Sequence, residues 1–345
     1  MVNLSKKVCI SGPTDRPWVK AQLSANGCHV VLGKSYEGFP EHHYYEAELI
    51  DLIDNSDVLL VSSRERVPRS ILEECKSLRG VVKASIGVEN VDIKAATDLG
   101  ILVCNCPVLE NFVGVAEATV GLIVALMKRL KLNEQDLQQG GWKKEVNTGE
   151  LILGKTIGII GLGRVGRAVA RRFQGWDVQI IAYDPYVKKV DIQGLGVDLV
   201  TFDEVLRRSD VLSLHVVLTP ETHHMIGLKE IKMMKSTAYL VNTSRGGVIN
   251  QEELSQALRK WMIAGAALDV YEEEPLAMGN LLRSIDPTRL ILTPHSIGNS
   301  PLARDSGHRM AIQIILTLLE GEPPSGVLNP EAIPRWRQRF SNPLP

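Results

Sequence analysis

The sequence predicts an α/β fold built from two doubly wound parallel-sheet domains. Three observations predict it. Short β-rich runs alternate with helix-like stretches in the first third of the chain, the pattern of βαβ units. The same alternation starts afresh at Thr156. At roughly 150 residues per domain, a chain of 345 residues suits two such units.

In the first series the expected strands are 8–10, 29–32, 58–61, 81–84 and 101–103. Helices are expected at 18–25, 44–53, 69–76 and 93–99, the last stopped by Gly100, since a left-handed glycine commonly ends a helix. Residues 112–132 contain no proline and read as one long helix, followed by a polar stretch to 150. The second series places strands at 156–160, 178–183, 211–215, 238–241, 263–268 and 290–292. Helices are expected at 165–173 and 251–261. In the latter, Leu254, Ala257, Leu258 and Trp261 form an i, i+3, i+4, i+7 stripe. A last helix, about 302–320, precedes a proline-rich tail.

Composition narrows the function. Hydrophobic residues at 44% and charged residues at 23% are ordinary for a globular chain, which excludes disordered and fibrous classes. The net charge of −1 gives no electrostatic reason to expect a nucleic-acid partner. The longest clean apolar run, 120–127, is far short of the ~20 residues of a bilayer span, so no membrane partner is expected. Residues 1–12 lack the apolar core of about 7–15 residues that a secretory signal needs, and the chain reads as cytoplasmic. Cys9, Cys28, Cys75, Cys104 and Cys106 each sit in or beside an apolar run and read as reduced core thiols. Cys104 and Cys106 lack a second pair at zinc spacing, and no metal is expected.

The strongest local signal is Gly161-Leu162-Gly163-Arg164-Val165-Gly166. A strand ends immediately before it and a helix starts at Val165. Asp184 stands at the end of the next strand, where a ribose-binding carboxylate belongs. That is the full context of a dinucleotide fingerprint. Gly161 permits the tight turn, Gly163 lets backbone approach a pyrophosphate, and Gly166 lets the helix pack on the strand. The helix N-terminus offers N–H groups and a positive dipole end to phosphate. Asp184 can accept both ribose hydroxyls and would repel a 2′-phosphate, so NAD is the expected cofactor.

Three downstream segments follow strands: Asn242-Thr243-Ser244-Arg245-Gly246-Gly247, the run from Ala266 through Asp269 to Glu274-Pro275, and Thr293-Pro294-His295. With the fingerprint they resemble the D-2-hydroxyacid dehydrogenase family, and the resemblance runs from about Val58 to Asn329. It implies a Rossmann-type NAD domain (111–299) inserted into a flavodoxin-like substrate domain (1–110 and 300–345). It also implies a homodimer formed through an arm at about 112–150, with Gly326 to Asn329 rejoining the first domain.

The chemistry fits these residues. Oxidising a secondary alcohol needs a base for the hydroxyl proton, a cation for carboxylate and carbonyl, and a group that tunes the base. His295 titrates in the neutral range at a strand end and is the expected base. Arg245 has the planar fork that suits a 2-oxo acid. The resemblance selects Glu274, directly before the proline, as the third member, leaving Glu272 and Glu273 as solvated loop charges. It also makes Asp269 a nicotinamide contact and places Thr243 among the cofactor-binding residues, with Gly161, Gly163, Arg164, Val165, Gly166 and Asp184. His215 reads as structural or cofactor-lining; His29, His42, His43, His223, His224 and His308 lack motif support. The segment Ser85-Ile86-Gly87 resembles the loop whose N–H groups receive the substrate carboxylate. Here Ser85 stands where many relatives have glycine, and 107–117 is about one residue longer.

The expected function is NAD-dependent hydride transfer at C2 of a small 2-hydroxy or 2-oxo acid. Two alternatives share the fold: an NAD-sensing corepressor-like regulator and a short phosphoglycerate dehydrogenase. The serines after the third strand favour an unphosphorylated acid: Ser62 replaces one arginine that the resemblance expects at a phosphate, while Arg64 matches a second. Glutamate at 274 disfavours a formate dehydrogenase, and Ile86 a phosphite dehydrogenase.

Overall fold

The computed structural model describes residues 6–12, 17–34 and 44–340. It divides into two compact units, Met1–Asn111 with Ser300–Pro345, and Phe112–Asn299. The second interrupts the first.

The first unit carries β1 (Lys7–Ile10), α1 (Pro17–Ala25), β2 (His29–Leu32), α2 (Glu46–Ile53), β3 (Val58–Leu60), α3 (Arg69–Glu74), β4 (Gly80–Lys83), α4 (Ile93–Leu99) and β5 (Leu102–Asn105). Its strands are all parallel, in the order β2-β1-β3-β4-β5, the flavodoxin-like arrangement. Side chains alternate between two buried layers, as a sheet covered on both faces requires. Val8, Ile10, Val58 and Leu60 face one layer, and Cys9 and Leu59 the other. All five cysteines are free and buried.

The chain continues with α5 (Leu109–Met127), α6 (Leu130–Gln138), β6 (Thr156–Ile160), α7 (Arg164–Arg172), β7 (Gln179–Tyr183), β8 (Val197–Leu199), α8 (Phe202–Arg208), β9 (Val211–Leu214), α9 (Leu228–Ile231), β10 (Tyr239–Asn242), α10 (Gln251–Arg259), β11 (Gly265–Leu268) and β12 (Leu290–Leu292). The parallel order β12-β11-β10-β9-β6-β7-β8 reverses direction between β6 and β9. In such sheets a ligand binds outside the strand C-termini at that switch point. The first unit is completed by α11 (Pro301–Leu319) and α12 (Ile333–Phe340).

The helix expected over 112–132 is two helices. Arg129 takes a left-handed conformation with φ of 50° between α5 and α6. The returning chain at 149–150 ends α5: Glu150 N–H donates to Met127 O at 2.7 Å, and Lys128 Nζ donates to Glu150 O. A Cβ on Gly149 would lie 2.7 Å from Met127 O, so only glycine fits that approach. Among the described residues, α5 has the length and composition to cross a membrane, a length the run 120–127 understated. Of its residues, Ala116, Thr119, Leu122, Ile123, Leu126 and Met127 are buried within the protein.

The proline-rich tail is structured over 330–340. In α12, Trp336 is fully buried and its Nε1 donates to Arg79 O at 2.7 Å. Asn329 clasps β5, accepting from Val103 N–H at 2.9 Å and donating to Ile101 O at 2.9 Å. Sequence reasoning also passed over β8 and α8, the latter capped by Thr201.

Candidate active site

At the end of β6 the backbone leaves no choice of residue. Gly161 has φ of +92°, and a Cβ there would lie 2.5 Å from His215 O. A Cβ on Gly166 would lie 2.0 Å from Gly161 O. Gly163 is different. It caps α7, and nothing lies within 4 Å of where its Cβ would be. Open space beside an exposed backbone at a helix N-terminus is what a pyrophosphate needs, so the loop fits a dinucleotide. Arg164 is exposed, its guanidinium 4.8 Å from the Phe112 ring centre, and Val165 packs against the core.

Asp184 follows β7 and holds the glycine loop to it: Oδ2 accepts from Leu162 N–H at 2.8 Å and Oδ1 from Tyr186 N–H at 2.9 Å. His215 follows β9, its Nε2 2.8 Å from Ser213 Oγ. Burial pushes its pKa down to about 3, so the imidazole is neutral and does not exchange protons near pH 7. Thr243 Oγ1 lies 2.8 Å from Thr119 Oγ1, whose own proton goes to Val115 O. Thr119 was not foreseen; its signal was a polar residue in an apolar helix.

Three strand ends then converge. After β10, Asn242 folds the loop that carries Arg245. Its Oδ1 accepts from Ser244 N–H and Oγ, and its Nδ2 donates to Arg245 O at 2.9 Å. Arg245 itself donates to Ser244 O at 2.7 Å. After β11, Tyr271 N–H donates to Glu274 Oε1 at 2.9 Å, and Tyr271 OH donates to Thr293 O at 2.8 Å. A Cβ on Gly246 would lie 1.8 Å from the Tyr271 carbonyl carbon, so the two loops meet backbone to backbone. After β12, His295 Nδ1 lies 2.6 Å from Glu274 Oε2. Asp269 secures this third loop, its Oδ1 accepting from Thr293 Oγ1 at 2.6 Å and Ser296 N–H at 3.1 Å. Gly298, shortly past His295, packs closely on α5: a Cβ on Gly114 would clash with Gly298 O, and one on Gly298 would lie 2.6 Å from Val115 Cγ2.

The electrostatics follow from this geometry. The hydrogen bond to Glu274 raises the His295 pKa above its ordinary value; burial opposes it, the charges of Glu274 and Asp269 add to it, and Arg245 subtracts. For Glu274, burial pushes upward. The hydrogen bonds from His295 and Tyr271, with the charges of His295 and Arg245, outweigh it and hold the carboxyl below its usual range. The His295 side chain is 50% exposed, open to an incoming molecule.

In the first unit, Ser85 O accepts from Cys106 N–H at 3.0 Å and Ile86 O from Asn105 Nδ2 at 2.7 Å. The N–H groups of Ile86, Gly87 and Val88 donate to no protein group among the described residues.

Two loop charges are held within the protein, Glu272 against expectation. Arg64 is buried, its Nε 2.6 Å from the buried Glu65 Oε1. Glu272 is also engaged, 2.6 Å from His224 Nε2. His42 and His43 lie outside the described residues.

The strand C-termini of one sheet carry a phosphate-ready glycine loop with a following carboxylate, an imidazole–carboxylate pair and an arginine, equipment that suits a nicotinamide-dependent oxidoreductase. The profile of the D-isomer specific 2-hydroxyacid dehydrogenase, NAD binding domain, matches residues 120–296. The chain is 38% identical over 330 residues to a D-3-phosphoglycerate dehydrogenase of Methanocaldococcus jannaschii, covering 95% of this chain and 60% of that protein's length. It is 36% identical to a glyoxylate reductase of Thermofilum pendens, over 89% of this chain and 90% of that one. The D-lactate dehydrogenase of Escherichia coli superposes with a TM-score of 0.80 at 26% identity, over 93% of this chain and 99% of that one. The chain belongs to the D-isomer specific 2-hydroxyacid dehydrogenase family, NAD-dependent oxidoreductases that act on the CH–OH group of 2-hydroxy acids.

Proposed function

We propose that this chain is a 2-oxoacid reductase working with NADH on a small unphosphorylated acid such as glyoxylate or hydroxypyruvate. The observation that carries the reading is the 2.6 Å contact between His295 and Glu274, on a loop interlocked with that of Arg245. Residues 111–299 form the cofactor domain, and 1–110 with 300–345 the substrate domain.

Gly161, Gly163, Gly166 and the N-terminus of α7 hold the pyrophosphate, and Asp184 the adenosine ribose. Arg164, Val165, His215, Thr243 and Asp269 complete the cofactor lining. When bound, the nicotinamide supplies the hydride for C2 in reduction and accepts it in oxidation. Arg245 binds the carboxylate and polarises the carbonyl through its planar fork. The protonated His295 gives its Nε2 proton to the oxygen on C2, and takes that proton back in oxidation. Glu274 keeps the other ring nitrogen protonated and stabilises the imidazolium. In the first unit, the N–H groups offered by Ile86 and Gly87, beside Ser85, suit a carboxylate.

A phosphorylated acid needs fixed cations beyond those that hold the carboxylate. The charge of Arg64 is already matched by Glu65, which supports an unphosphorylated substrate. The arm at about 112–150 exposes Leu130, Leu137 and Trp142, an apolar display that suits a two-fold homodimer. Five free, buried thiols suit the reducing cytoplasm.

The test is a panel of 2-oxo acids with NADH, followed by loss of NADH absorbance, with 3-phosphohydroxypyruvate against hydroxypyruvate at equal concentration. Hydroxypyruvate or glyoxylate should lead in kcat/KM. A lead of more than tenfold for the phosphorylated compound, lost in Arg64→Ala, reverses the substrate assignment.

A further inference from the structure

We infer that His224 and Glu272 form a positioning pair that fixes the path of the chain into Glu274 against the loop of Arg245. The inference rests on the roles proposed above for Glu274 and His295.

The segment around His224 docks by its backbone on the outer side of the arginine loop. His224 N–H donates to Gly247 O at 2.8 Å, Ile226 N–H to Val248 O at 3.2 Å, and Asn250 N–H returns to Ile226 O at 3.0 Å. The side chain of His224 then reaches across to the next loop, its Nε2 2.6 Å from Glu272 Oε1. The same oxygen accepts from Gln251 N–H at 3.2 Å, and Glu272 N–H donates to Gln251 Oε1 at 3.4 Å. The His223 ring stacks on that of His224 at 3.9 Å, limiting its rotation. Glu272 is thereby tied to the segments on both sides of Arg245. Its chain neighbour Tyr271 supplies the N–H that holds Glu274 Oε1. A shift of Glu272 therefore moves the donor that aims the carboxylate at His295.

Stability does not account for this arrangement. The two side chains are 36% and 34% exposed, and side-chain contacts of that exposure contribute little. His224 also adopts a left-handed backbone with φ of 53°, unfavourable for a residue with a Cβ. A strained residue with little return in stability, held against the loops that carry the chemistry, is the mark of geometric control.

The experiment measures kcat and KM with hydroxypyruvate and NADH across pH, NADH affinity by fluorescence, and Tm, for His224→Ala, Glu272→Ala, Glu272→Gln and Glu274→Gln. Both alanine variants should lose about tenfold or more in kcat, since small misplacements of catalytic groups are costly. Their NADH affinity should stay at the wild-type value. The alkaline limb of reductive activity should move to lower pH, the direction Glu274→Gln also gives. Glu272→Gln keeps an acceptor for both His224 and Gln251 and should restore most of kcat. If His224→Ala does not fold, Glu272→Ala carries the same reading from the other side of the pair. Wild-type kcat and an unmoved limb in a folded alanine variant, with Glu274→Gln displaced, overturn this inference alone. An unmoved limb in Glu274→Gln overturns the catalytic reading and this inference with it.

Discussion

Adding one methyl group at Gly246 tests the proposed catalytic geometry without touching a catalytic group. In Gly246→Ala the new Cβ would stand 1.8 Å from the Tyr271 carbonyl carbon, 1.9 Å from its oxygen and 2.5 Å from Glu272 N. Ordinary contact begins near 3.4 Å, so the two backbones must move well apart to admit the methyl group. No flexible side chain is present to absorb the movement. The displacement divides between the loop that carries Arg245 and the loop that runs from Tyr271 to Glu274. A misplacement of about 1 Å costs roughly 10²-fold in rate. We expect kcat with hydroxypyruvate to fall by about that factor. The glycine loop at β6 is remote in sequence and built on other strands, so NADH affinity should change little. Overpacking of this kind destabilises by about 1–3 kcal/mol, lowering Tm by several degrees. Stopped-flow and steady-state NADH oxidation, with NADH fluorescence titration, measure the separate quantities. A folded Gly246→Ala enzyme whose kcat lies within threefold of wild type refutes the idea that these loops must meet backbone to backbone.

His295→Ala should lose about 10²–10⁴-fold in kcat while still binding NADH, the range of general acid–base assistance; single-turnover and binding measurements separate the two. In Glu274→Gln the anion that raises the His295 pKa is gone, so the imidazolium exists only to lower pH. Reductive activity, which uses the protonated ring, should therefore fall away at lower pH than in wild type, read from kcat/KM against pH. Asp184→Ala should narrow the preference for NADH over NADPH by removing repulsion of the 2′-phosphate, although loss of the bond to Leu162 N–H also loosens the loop. Trp336→Ala empties a fully buried site in the first unit and should cost about 3–5 kcal/mol, read by denaturant unfolding, with the cofactor unit keeping its NADH affinity.

The fold class was legible because the inner strands of both sheets are buried on two faces and read as short apolar runs between helices; the edge strand β8, Val-Asp-Leu, is not buried in this way and does not. The glycine loop was legible because its constraints are local: a turn, a helix start and a strand end leave marks in six consecutive residues. The break after Met127 was hidden because residues 149–150, far along the chain, end the helix. The buried state of Arg64 was equally hidden, because its neutralising partner Glu65 joins Ser11, distant in sequence, in the same cluster. The helix α12 did carry a signal: Ile333, Trp336 and Phe340 share one face at helical spacing. Glu272 was misread because three adjacent glutamates look alike in sequence. The approach of His224 and of Gln251, both distant in sequence, sets Glu272 apart from Glu273.

The clasp of Asn329 on β5 and the burial of Trp336 bear on the order in which the nascent chain acquires structure. The first five strands are made before the interrupting unit, yet one layer of their core is completed only by α11 and α12, on the far side of that unit. Until those helices are made, the layer that holds Leu102 and Cys104 lacks the cover that α11 and α12 supply. The interrupting unit holds all its own strands within 112–299 and can complete its sheet first. The first sheet therefore waits, incompletely covered, while the whole interrupting unit is synthesised, a state prone to association with other chains. A stalled or truncated product lacking α11 and α12 should be a client of chaperones even when its cofactor unit is fully formed.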